Sequence, residues 1–316
     1  MGAYLIRRAL QAIPVILLST VMVFTVIHLI PGDPAQVLAG ADASASYLAS
    51  IRHGMGLDQP LPVQYLIWMG HILRGNLGTS THGQTVAFLL ASRVPATLEL
   101  AATSMVLSLL ISIPLGVLAA AVNGTKADWL ISTVQSIWLA IPNFFLGILF
   151  VILFALILHW LPPGGRTADG QHIAASIKSL ILPSVSLALG LSAFLSRFVK
   201  FNMLEVLYDD FVRTARAKGL RSRRVIFGHA LRNAMLPVIT ILGLQFAGLL
   251  GGQVVIETVF SWPGIGGLLL DAIGTRDYPV VEAGLLFLVL LIIAVNIMVD
   301  LTYGFIDPRT RLSEAR

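Results

Sequence analysis

The stretch DDFVRTARAKGLRSRRVIFGHALRNAMLP, Asp209–Pro237, sets a run of basic residues between two apolar segments, each long enough to cross a bilayer as a helix. Arg213, Arg216, Lys218, Arg221, Arg223, Arg224 and Arg232 lie inside it, with Lys200 just upstream. Among them stand Thr214, Ala215, Ala217 and Gly219, small residues suited to close helix contact rather than lipid burial. Asp209 and Asp210 suit the positive end of a short helix and Gly219 suits its left-handed cap, which predicts a helix over 209–219. Ser222 is placed to cap a second helix running through Arg232 toward Leu236-Pro237, where the next apolar span is expected to begin. A loop that only collects positive charge on one side of a membrane explains the Lys and Arg, but not the small residues between them.

Outward from this segment the chain is apolar. Charged residues are 12% of the sequence and the mean hydropathy is +0.85, too little polar surface for a water-soluble protein of 316 residues. The expected fold is therefore an all-α integral membrane protein. Apolar stretches at about 9–30, 97–122, 130–158, 179–199, 235–256 and 281–304 predict six spans. An even number puts both termini on one face. With that face cytosolic, Arg7, Arg8, Lys126, Arg197, Lys200, the basic residues of the 209–237 loop, Arg309, Arg311 and Arg316 all lie inside. Only Arg52, Arg74, Arg93, Arg166, Lys178 and Arg276 lie outside, an asymmetry that predicts cytosolic termini. The net charge of +5 follows from this placement and carries no nucleic-acid signal.

Residues 31–95 are too long for a turn and too polar for a span, so they predict a small external helical segment. Ser44 or Ser46 is placed to cap a short helix, and Pro62 and Gly75 bracket an amphipathic one over Val63–Arg74, with Trp68 at the interface. His28 has no second His or carboxylate at ligand spacing and is expected to pack. Residues 97–304 form the five-span core, and the chain is expected to be one domain over 1–316.

Polar residues at mid-depth are few: Gln135, Asn143, Gln245 and Asn296 are placed either to line a pathway or to bond between helices. In the fifth span Gly243, Ala247 and Gly251 form a small-residue ridge, beside a Gly248-x-x-x-Gly252 pair. These permit close backbone approach, within the bundle, across an interface or along a pathway wall. Pro142 and Pro183 are placed to kink the third and fourth spans. After the fifth span Glu257, Trp262, Pro263 and Gly264 mark a turn at the external interface, open to contact by a ligand-delivering protein. No phosphate-binding loop, zinc-protease motif or nucleophile elbow occurs, and no Cys, so neither catalysis nor a cofactor or metal site is expected in this chain.

Several ordered motifs resemble one family. RTARAKG at Arg213–Gly219 followed by HALRNAMLP to Pro237, PGDP at Pro31–Pro34, GLDQPLPVQY at Gly56–Tyr65, GNLGTS at Gly75–Ser80 and the run from Gly251 through Glu257 and Phe260 to Trp262-Pro263-Gly264 are similar to ABC-importer permeases of the dipeptide, oligopeptide and nickel branch. Arg213-Thr214-Ala215 fall where the wider family has Glu-Ala-Ala, and Leu236-Pro237 lies farther from Gly219 than the general pattern has it. The resemblance implies a permease subunit of the bacterial inner membrane that meets an ATPase through Arg213, Thr214, Ala215, Arg216, Ala217, Lys218 and Gly219. It implies a second permease subunit, two ATP-binding subunits that hold ATP and Mg, an extracytoplasmic binding protein, lipid around the spans, and peptides as substrate. A nickel, metal-chelate or glutathione permease is the alternative within the family. A secondary carrier or an intramembrane enzyme stands outside it, to be distinguished by dependence on an ion gradient or by product formation.

Overall fold

The computed structural model describes residues 2–29, 32–40, 43–166 and 173–306. These residues are helical with no strand among them; one isolated antiparallel bridge joins Thr79 and Thr85. The helices are α1 (Gly2–Leu29), α2 (Pro34–Ala39), α3 (Ala45–Gly54), α4 (Leu61–Leu73), α5 (Val86–Ala121), α6 (Lys126–Ala140), α7 (Asn143–Phe150), α8 (Ile173–Leu207), α9 (Asp210–Ala217), α10 (Ser222–Arg224), α11 (Leu231–Gly252), α12 (Val254–Val259), α13 (Ile265–Thr275) and α14 (Tyr278–Ile306). Wider π-type turns continue α7 over Val151–Ile157 and join α10 to α11 over Val225–Ala230.

Five helical stretches are long and apolar enough to span a membrane: Leu10–Leu29, Val86–Ala121, Ser176–Leu207, Ser222–Gly252 and Tyr278–Val299. The third expected span, 130–158, is not one rod. Lys126–Ala140 and Asn143–Ile157 meet at a 94° bend. The cause is Pro142, which has no N–H to donate and forces the preceding Ile141 out of helix, at φ −85° and ψ 125°. The helix expected over 222–232 and the fifth span expected from Pro237 are one continuous helical stretch, Ser222–Gly252, with Pro237 inside it. Ser222 is the first helical residue rather than the cap; Arg221 holds the N-cap position and makes no side-chain capping bond.

The chain forms two compact units. The first comprises residues 1–95 and 264–294. Its core gathers Ile27, Val86 and Leu90 with Ile265, Leu269 and Ala272 of α13 and Val280, Val281 and Ala283 of α14. Gly284 permits this approach, since a Cβ there would lie 2.6 Å from Leu269 Cδ2. Ser44 caps α3 by accepting from the Tyr47 N–H, and Pro62 sits in the first turn of α4, as the sequence predicts. The α4 helix packs on α1: Tyr65 Oη lies 2.8 Å from Thr20 Oγ1, and Phe24, Tyr65 and Trp68 form one aromatic group joined by His28. Asp277 ties the 75–85 loop to the start of α14, its Oδ2 accepting from Ser80 Oγ at 2.5 Å, Thr81 Oγ1 at 3.0 Å and the Thr81 N–H at 3.1 Å.

The second unit comprises residues 96–263 and 295–316, described to 306. Small residues set its spacing. Gly116 faces Val199 and the Ser196 carbonyl, and Gly190 faces Asn143. Ser104, Ser108, Ser186 and Ser196 are buried and satisfy their hydroxyls on carbonyls of their own helices, so they add no unpaired group to an apolar interior. One ion pair crosses between α6 and α8, Lys200 Nζ to Asp128 Oδ1 at 2.5 Å, with the Gly124 N–H and Ser132 Oγ completing the carboxylate's shell.

Candidate functional site

The basic segment folds as two pieces with different tasks. The α9 helix places Val212 and Ala215 inward, where they pack with Val225, Val206, Leu207 and Leu220. The spacing i, i+3 gives this short helix one buried stripe, and Arg213, Thr214, Arg216, Ala217 and Lys218 are left exposed. Arg213 pairs with Asp210 at 3.3 Å, one turn apart on the open face, where such a pair adds little. Gly219 ends the helix at φ +76°. The Leu220 N–H reaches the Ala215 carbonyl at 3.3 Å and the Gly219 N–H reaches Arg216 at 2.9 Å, the two bonds of a Schellman cap. Leu220 then returns to the apolar patch under α9, so the cap fixes the helix on its own chain.

The structure thus divides the expected contact residues. Thr214, Ala217 and Lys218 are exposed, whereas Ala215 is 8% exposed and serves the chain's own packing. Sequence reasoning missed two exposed aromatics beside this face, Tyr208 and Phe211. Their position next to a basic run, rather than in an apolar one, was the available signal.

The mid-depth polar residues do not converge on one site. Gln135 is buried, and its amide nitrogen has no partner. Asn143, Gln245 and Asn296 are half-buried, and Asn143 lies against Gly190. The glycines of α11 separate by face. A Cβ on Gly243 would strike Val299, so that position packs within the unit, while Gly248 and Gly252 are exposed with open space before them.

Along α12 and the turn after it, read from sequence as a turn open to external contact, the side chains of Glu257 and Trp262 turn inward. Glu257 is 1% exposed and accepts a hydrogen bond from Thr97 Oγ1 at 2.9 Å. Gln253 Nε2 donates to the Thr97 carbonyl at 3.1 Å, and Trp262 Nε1 donates to the Ala96 carbonyl at 2.8 Å. Gly264 is buried and Pro263 half-buried. A buried carboxylate and indole at a membrane-facing turn need such partners, and finding them internally withdraws both side chains from the surface. Among the described residues no group of three or more His, Cys, Asp or Glu side chains is placed to hold a metal ion.

Membrane-length helices of which one is broken, with a short amphipathic helix capped and packed on its own chain, define a polytopic membrane protein. The chain belongs to the family of binding-protein-dependent transport system inner membrane components, whose model matches residues 112–312, and the N-terminal model of the same systems matches residues 1–101. It is 42% identical over 313 residues to the oligopeptide transport system permease protein AppB of Bacillus subtilis, covering 98% of this chain and 99% of that one. It is 41% identical to a probable peptide ABC transporter permease protein, y4tP, of Sinorhizobium fredii, covering 98% and 100%. It is also 41% identical to the glutathione transport system permease protein GsiC of Salmonella paratyphi A, covering 98% of each. Among solved structures, a chain of the MetNI methionine ABC transporter superposes with a TM-score of 0.59 at 20% identity, covering 70% of this chain and 97% of the other, a likeness of fold. The protein is accordingly a multi-pass permease subunit of an ABC importer in the inner membrane.

Proposed function

We propose that this permease conducts short peptides, with both termini cytosolic and α9 as the element through which two ATP-binding subunits act on it. The observation that supports the substrate class is the identity of 41–42% along nearly the whole chain to permeases named for peptide, oligopeptide and glutathione transport. Glutathione is itself a peptide, so one substrate chemistry covers the three names. The weakly polar character of Asn143, Gln245 and Asn296 suits a passage that lets uncharged peptide groups by without holding them, selectivity being left to an extracytoplasmic binding protein.

ATP and Mg belong to the partner subunits in this reading, since the chain carries no phosphate-binding loop. A second permease subunit completes the pathway. ATP-driven closure of the ATPases pushes on α9, and its Schellman cap and apolar patch pass the displacement to α8 and the start of the Ser222–Gly252 span. The ligand shifts a two-state equilibrium between outward- and inward-facing spans, with the driving energy supplied from outside this chain. The test is uptake of a labelled dipeptide into vesicles holding the full complex. Uptake should require ATP and loaded binding protein, and the purified permease alone should not hydrolyse ATP. Uptake driven by an ion gradient without ATP would refute the reading.

A further inference from the structure

A cavity of about 610 Å³ lies inside the first unit, where one face each of α1, α4 and α14 converge. Helical spacing builds each wall: Phe24 and His28 are one turn apart on α1, Ile67 and Trp68 adjoin on α4, and Tyr278 and Glu282 are one turn apart on α14. Met55 and Leu57 close it from the loop after α3. The volume falls in the range of small-molecule sites, roughly 300–1,000 Å³, and the composition matches them too, mostly apolar with a few polar groups aimed at one space.

One of those groups is not explained by folding. Glu282 is a carboxylate in the second turn of α14 among apolar neighbours, and the groups that bear on it are the Trp68 indole and the His28 ring. His28 is already engaged through both nitrogens, at 2.8 Å from the Phe24 carbonyl and 3.1 Å from Gln64 Oε1. It has no donor left for Glu282, and one indole N–H does not fill a carboxylate able to accept about four hydrogen bonds. A carboxylate on a spanning helix is a functional-site signal in its own right, because the apolar surroundings penalise it.

We propose that this cavity binds a small amphiphile carrying a primary ammonium, with the ammonium on Glu282 and an aliphatic body against Ile67, Met55 and Leu57. An ammonium brings three donors and the opposite charge, and so supplies what Glu282 lacks. The site is separate from α9 and does not depend on which solute the permease carries. Two sources offer this chemistry: a soluble amine such as a peptide N-terminus, and the amine headgroup of a lipid.

The test uses the full chain in phosphatidylglycerol nanodiscs with n-hexylamine as probe and hexan-1-ol as its uncharged counterpart, read by hydrogen exchange over residues 53–71 and by titration. Hexylamine should saturate a single site and protect this segment, and hexanol should bind at least tenfold more weakly. Glu282→Gln should remove the preference for the amine while leaving the helices protected as in the parent. Displacement by phosphatidylethanolamine assigns the site to a lipid headgroup, and displacement by Leu-Leu but not by its N-acetyl form assigns it to a soluble amine. Displacement by neither counts against the site. Equal binding of amine and alcohol to the parent chain would overturn the proposal with no variant needed.

Discussion

Gly219 sits at φ +76° with nothing within 4 Å of the place a Cβ would occupy, so a side chain there meets strain and no clash. A left-handed backbone costs a non-glycine residue about 1–2 kcal/mol, less for Asn and more for a β-branched residue. Gly219→Asn should therefore keep most of the ATPase stimulation by loaded binding protein, and Gly219→Val should lose most of it. Two neighbouring alanines separate packing from contact. Ala215 is buried among Val212, Val225 and Leu220, so Ala215→Asp puts an unpaired carboxylate into the chain's own patch, at a cost on the order of several kcal/mol, and should lower the thermal stability of the isolated permease. Ala217 is exposed, so Ala217→Asp should shift isolated stability by no more than about 0.5 kcal/mol yet still weaken ATPase binding. Equal loss of stability in both variants would mean that the helix has no free face. The sequence pointed to this helix, its acidic start and its glycine stop. It could not say which of two alanines turns inward, because that depends on Val225 and Leu220, which follow the helix and fold back beneath it.

At the scale of elements the ion pair between α6 and α8 is the sharpest constraint in the second unit. Asp128 and Lys200 side chains are 12% and 19% exposed, and Lys200 is the cation that reaches the carboxylate. Removing one partner leaves the other charge poorly solvated, so Asp128→Asn should destabilise the purified chain by about 3 kcal/mol, whereas Asp128→Asn combined with Lys200→Met should recover much of that. Thermal unfolding in detergent measures both, and a double variant no better than the single one would show that the pair is not coupled. Legibility was uneven at this scale. The apolar runs located the spans, Ser44 and Gly75 cap the helices they were expected to cap, and the broken third span was only half visible. Its length of apolar sequence matched one crossing, and Pro142 signalled a kink without its size, which depends on the extended backbone at Ile141. The helix over 222–232 was legible, but its unbroken run into the fifth span was not, because Pro237 inside it reads as a boundary. The Lys200–Asp128 contact, 72 residues apart in the chain, left no local trace.

For the whole molecule the account requires that the termini and α9 share the cytosolic face, and that α9 meets an ATPase. Glu257 and Trp262 narrow the opposite side, since their hydrogen bonds to Thr97 and Ala96 leave Ser261 as the exposed residue of that turn. Because the chain contains no Cys, single introduced cysteines report unambiguously. Cysteines at Lys126 and Ala217 should react with an impermeant maleimide only from the cytosolic side, and one at Gly75 only from the other. The most direct measurement is cross-linking from Ala217→Cys with a short bifunctional reagent in membranes holding the complete transporter. The account predicts an adduct with an ATP-binding subunit whose yield changes when ATP is bound, and no such adduct from a cysteine at Gly75. An Ala217→Cys chain that transports normally and is labelled by maleimide, yet never joins an ATPase in any nucleotide state, would contradict it.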